Sequence, residues 1–207
     1  MTVPYFSQWE SRELVQDFIT GKLDPSDDPL WHLSGATSRE EYALWSSHIC
    51  GMACLKMILA QWRNQIIPTI ELMKACREYG GYIVDDDQNI KGLYYRPFVS
   101  FVKEKFGMEA EVKEHTTVEE VSDFLKQGHV FIASVHPSIR TPEKMPPKKG
   151  GHLIYVFDRN DRSSELIFHN PSGNTKSSQE NVHLSEEVFS HFYAQRGILI
   201  KISESIS

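Results

Sequence analysis

Cys50 sits near the start of an apolar run, ICGMACLKMILA over 49–60, that carries one charged residue, Lys56. The apolar residues lie all round the helix this run would form, which marks it as buried rather than laid on a surface. A thiol at a helix start meets free backbone N–H groups and the positive end of the helix dipole, and both stabilise a thiolate. Such a thiol is placed to attack a carbonyl and hold the product as a thioester. Gly51 follows, so no neighbouring side chain should block approach to the sulfur. Position alone leaves the bland alternative open, because cysteine is also a common small core residue. Cys54 and Cys76 fall inside helical stretches with no comparable activation and read as core.

A nucleophile of this kind needs a base, an orienting group and donors for the oxyanion. His152 follows Gly150-Gly151 at the start of an apolar strand, GGHLIYVFD, where the glycines leave its ring open to a cleft. Asn170 ends the next strand, just before Pro171-Ser172-Gly173. If strands 151–158 and 164–170 pair as a hairpin, Asn170 returns beside His152 and its side-chain oxygen can orient the ring. Gln8 offers a side-chain amide on an otherwise aromatic segment, VPYFSQW, and the Cys50 backbone N–H is a second donor. Taken singly, a strand-end histidine and an exposed glutamine are ordinary. Their order gives the set its meaning.

The elements that must hold these groups follow from the pattern. A helix at 38–45 is capped by Ser38 with Glu41 as its reciprocal partner. Further helices are expected after Pro68 up to Gly80-Gly81, over 93–107 and over 116–128. The periodicity then changes to strands at 129–136, 151–158, 164–170 and 196–203, with a short helix at 185–193. A helical first half and a strand-rich second half make an α+β fold, with helices packed on one side of an antiparallel sheet. DPSDDP at 24–29 and Asp85-Asp86-Asp87 read as solvated turns.

Composition sets outer limits. The 207 residues are 40% hydrophobic and 24% charged, the range of a globular chain, and one domain over 1–207 is expected. The net charge of −6 disfavours nucleic acid or an anionic membrane as partner. Three cysteines make no disulfide framework, and no cysteine–histidine spacing suits a metal, so neither metal nor other cofactor is expected. Without a signal peptide or a spanning segment, a soluble cytoplasmic protein is expected.

VPYFSQ, CGMACLKMIL, GGHLIYVFD and HNPSG, in that order over residues 3–173, resemble the papain-like cysteine peptidases of the bacteriocin-processing (double-glycine leader peptidase) group and its stand-alone relatives. The resemblance implies a papain-like fold, with Cys50 as nucleophile, His152 as general base and acid, Asn170 as orienter and Gln8 as oxyanion donor. Two features depart from that group. The spacer between Gln8 and Cys50 is longer than usual, so 15–45 is expected to form an inserted cap or pocket wall, and Asn170 stands where leader peptidases usually carry aspartate. Trp9, Trp45 and Gly151 are expected to contact substrate. Hydrolysis of a peptide or amide through a Cys50 acyl-enzyme is the leading expectation. An acyltransferase or amide-forming enzyme of peptide or natural-product biosynthesis, taking acyl groups from a thioester on a carrier protein, is the alternative. A catalytically inactive binding module is the third.

Overall fold

Six antiparallel strands form the sheet on which the molecule is built; the computed structural model describes residues 2–202. The strands are β3 (Glu109–Glu114), β4 (Val130–Val135), β5 (His152–Asn160), β6 (Glu165–His169), β7 (Val182–Ser185) and β8 (Tyr193–Lys201), in the spatial order β3-β8-β4-β5-β6-β7. A separate hairpin pairs β1 (Tyr82–Val84) with β2 (Ile90–Gly92). The helices are α1 (Val15–Thr20), α2 (Arg39–Ser46), α3 (Cys50–Arg63), α4 (Thr69–Glu78), α5 (Tyr95–Phe106), α6 (Val118–Lys126), α7 (Lys176–Gln179) and α8 (Glu186–Phe192).

The central strand β4, VFIASV, is buried along its whole length. Successive side chains of a strand point to opposite faces. Val130 and Ile132 accordingly join a core with α3, α4 and α5, while Phe131, Ala133 and Val135 join a second core with Val121 of α6 and Phe189 and Phe192 of α8. The sheet is therefore covered on both faces, not one. The N-terminal helices take the first face, and the short C-terminal helices close the second.

β3, whose sequence EAEVKE lacks an apolar run, was not legible as a strand; it is an edge strand, held by β8, with charged residues along it. The triple aspartate is the turn of the β1–β2 hairpin. Asp85 Oδ1 accepts from the backbone N–H of Asp87 and Asn89, and its carboxylate pairs with Lys91.

Residues 9–42 build a third, smaller core of Trp9, Val15, Phe18 and Tyr42. Asp28, fully buried, ties this region together by accepting from the Ser11 N–H and hydroxyl, the Leu30 N–H and the Tyr42 hydroxyl. No single helix among the described residues is long and apolar enough to cross a bilayer; α2 and α3 together have the length but meet at 95°.

Candidate active site

α3 begins at Cys50, and the interior of that helix from Gly51 to Leu59 is buried. The thiol is half-buried and shares a cleft of about 730 Å³ with His152, the first residue of β5. β5 pairs with β6, Tyr155 lying opposite His169, so Asn170 leaves the ladder beside the start of β5. His152 Nε2 lies 2.8 Å from Asn170 Oδ1.

The protonation pattern follows from the partners. Asn170 Oδ1 also accepts the backbone N–H of Ser172 at 3.1 Å, which fixes that atom as the oxygen. His152 Nε2 must then carry the hydrogen, and Nδ1 is left as the basic nitrogen. Burial pushes the imidazole down to about 4, the hydrogen bond to Asn170 opposes this, and the Arg140 charge lowers it further. Burial also pushes the Cys50 thiol up, against the N–H groups of Leu153, Gly51 and Cys50 itself, which pull it down. The helix-start effect anticipated from sequence is present, with the Gly51 and Cys50 N–H groups pulling the thiol down, but desolvation outweighs it.

Gln8 is buried and held from both sides. Its backbone N–H donates to the Pro171 carbonyl at 2.9 Å, and its Nε2 donates to the Ser46 carbonyl at 3.0 Å. The second Nε2 hydrogen remains free of that bond. The segment carrying Gln8 is stitched to the Asn170 turn, with the Tyr5 hydroxyl on the Asn170 carbonyl, the Ser7 hydroxyl on the Pro171 carbonyl, and His169 Nε2 on the Val3 carbonyl. His169 is thus a structural histidine, accepting the Asn181 N–H at Nδ1.

Other sequence expectations are corrected. Trp9 and Trp45 do not reach the cleft: Trp9 stacks on Phe18, and Trp45 meets Tyr82 edge-on in the main core, because both rings are large enough to anchor packing there. Gly151 does line the cleft. None of the cleft lining comes from 15–45, whose Val15, Phe18 and Tyr42 pack into the third core. Gly51 does not leave open space beside the sulfur. A Cβ there would come within 2.7 Å of Leu93 Cδ2 and 3.0 Å of Leu153 Cδ1, so the glycine admits two packed leucines.

Two residues at the site went unrecognised in the sequence. Ser172 Oγ lies 3.0 Å from His152 Nε2, and Arg140 Nη2 donates to that same hydroxyl at 2.9 Å. The β5–β6 register, continued past its last pair, brings position 172 opposite His152, which is the signal that could have found Ser172. Arg140 lies in a 3₁₀ turn after β4 and left no such signal. Among the described residues, no cluster of histidine, cysteine, aspartate and glutamate could hold a metal ion.

A half-buried helix-start cysteine that shares a cleft with a histidine held by asparagine, on a helix-and-sheet α+β frame, defines a protein of the papain-like cysteine peptidase class. The Peptidase_C39 like family matches residues 2–199, and the chain belongs to it. Solved structures that share the fold include two peptidases. The peptidase domain of Streptococcus ComA, a bi-functional ABC transporter involved in a quorum-sensing pathway, superposes with a TM-score of 0.52 at 18% identity, covering 76% of this chain and 93% of that one. A putative C39-like peptidase from Bacillus anthracis gives a TM-score of 0.52 at 13% identity, covering 76% and 90%. No curated protein sequence matches the chain.

Proposed function

We propose that this chain is a thiol-dependent peptidase or amidohydrolase in which Cys50, His152, Asn170 and Gln8 carry the reaction. The observation that supports it most is the 2.8 Å bond from His152 Nε2 to Asn170 Oδ1, which leaves Nδ1 as the free base of a ring sharing its cleft with Cys50. His152 Nδ1 takes the thiol proton as the Cys50 sulfur adds to the scissile carbonyl. Gln8 Nε2 and the Cys50 N–H hold the oxyanion. The C–N bond breaks, the amine leaves with the proton from His152, and the acyl group stays on sulfur. Water, deprotonated by His152, then releases a carboxylic acid and restores the thiol. The cleft rim is exposed at Ser47, His48 and Tyr94, so water has access to the acyl-enzyme, which favours hydrolysis over transfer to an amine.

The test is cleavage of a proteome-derived peptide mixture, followed by mass spectrometry of both peptides and intact protein. Cleavage together with an acyl adduct on Cys50 is expected, and both should vanish in Cys50→Ala. Cleavage that survives in Cys50→Ala overturns the mechanism.

A further inference from the structure

The cleft holds charge that bond cleavage does not use. Arg196 of β8 and Arg96 of α5 line it against a single carboxylate, Glu114 of β3. Among the described residues neither arginine makes an ion pair. Glu114 is the register partner of Arg196 across the β3–β8 ladder, yet the two side chains do not close on each other. The Arg196 guanidinium lies against the glycines that lead to His152: a Cβ on Gly150 would come within 3.3 Å of its Nη2 and 3.2 Å of Ser134 Oγ. Tyr95 of α5 lines the same cleft. Burial pushes its phenol up, while the Ser134 hydroxyl and the Arg196 guanidinium draw it back down. Ser134, Tyr95 and Arg196 all line the cleft that holds Cys50.

A guanidinium beside a hydroxyl, with a tyrosine lining the same cleft, matches the planar, multiply accepting geometry of a carboxylate. The chain as a whole carries −6, so any attraction for an anion is local to this cleft. We infer that Arg196, with Ser134 and Tyr95, forms a carboxylate-binding subsite, and that the preferred substrates are peptides carrying a carboxylate close to the scissile bond. An acidic side chain and a free chain terminus share this chemistry. The substrate class rests on the peptidase reading above; the subsite itself rests only on the cleft.

The subsite can be tested without a peptide. Iodoacetate and iodoacetamide differ in little but charge, and each alkylates Cys50 by forming an S–C bond as iodide leaves. The ratio of the two rates at Cys50 should exceed that of free cysteine at the same ionic strength. It should fall about fivefold or more in Arg196→Gln, recover in part in Arg196→Lys and rise in Glu114→Gln. The iodoacetamide rate of each variant is its own reference for how the thiol is presented, so a change common to both reagents cancels in the ratio. A ratio indifferent to Arg196→Gln overturns the subsite, whether or not any peptide is cleaved. A second arm uses one cleaved peptide sequence with an internal Glu or Gln near the scissile bond, each with a free or amidated C-terminus. A preference for one carboxylate, lost in Arg196→Gln, supports the substrate class and assigns its source. Cleavage equal for all four peptides overturns the class and leaves the peptidase standing, whereas an intact alkylation ratio without cleavage of any peptide counts against the peptidase alone.

Discussion

The Ser172 hydroxyl stands 3.0 Å from His152 Nε2, the same nitrogen that Asn170 holds, and Arg140 donates to it from the other side. A cation is thereby coupled to the imidazole through one hydroxyl, and it disfavours the imidazolium. Arg140→Gln removes that charge, so the histidine should ionise more readily. The acid limb of kcat/KM should then move upward by about half a unit to one unit, a shift worth roughly 1 kcal/mol. A purely structural role for Arg140 would lower the plateau and leave the limb in place.

Asn170→Asp tests the same ring with the opposite charge. In the native protein His152 is pushed down to about 4, so the neutral base is present at pH 5 and above and is lost as pH falls through about 4. A carboxylate at position 170 favours the imidazolium and raises the histidine pKa, by about one to three units for a close pair. Activity measured from pH 3 to 8 should therefore fall at a higher pH in the variant. An unmoved acid limb would show that His152 does not set it.

How far these relations could be read from residue order depends on what brings the residues together. His152 and Asn170 were legible because a single hairpin joins them, and a hairpin register is a local property. Cys50 was legible because a helix start is local too. Arg140, Tyr95 and Arg196 were not: Arg140 meets Ser172 from the turn after β4, Tyr95 of α5 and Arg196 of β8 line the cleft, and only the folded sheet brings them there. Trp9 and Trp45 misled for a related reason. Aromatic residues near a site motif suit a substrate wall and a core equally well, and the partners that decide, Phe18 and Tyr82, are set by tertiary packing. The two-sided burial of the sheet was concealed because β4 is apolar at nearly every position, which leaves no alternation to show which face is wet.

Gln8→Ala should separate stabilisation of the transition state from folding. The backbone N–H of Gln8 still reaches the Pro171 carbonyl in the variant, and the Tyr5 and Ser7 bonds to the Asn170 turn do not involve its side chain. Loss of one oxyanion donor lowers kcat by about 100- to 1,000-fold. KM should change little. The urea midpoint should fall modestly because the buried Ser46 carbonyl loses its Gln8 donor, so kcat is compared under conditions where the variant is fully folded. A defect confined to KM would place the amide on the substrate rather than on the oxyanion.

Gly173 closes the turn that carries Asn170 and Ser172, and it has no room to grow. A Cβ there would lie 2.2 Å from the Ser178 carbonyl oxygen and 2.5 Å from its carbon. The obstacle is backbone, so no side-chain adjustment relieves it. The turn is also fixed from both ends, by the Asn170 N–H on the Gln179 carbonyl at 2.7 Å and by Gln179 Nε2 on the Gly173 carbonyl at 2.9 Å. Gly173→Ala must push α7 away or pull Asn170 off His152. Overpacking of this kind costs about 1–3 kcal/mol, read as a lower urea midpoint. Removing the Ser178 side chain should restore nothing, since the clash is with its main chain. The displaced Asn170 should lower kcat as well, even at temperatures where the variant is fully folded. A variant as stable and as active as the native protein would mean that this turn does not hold the histidine in place.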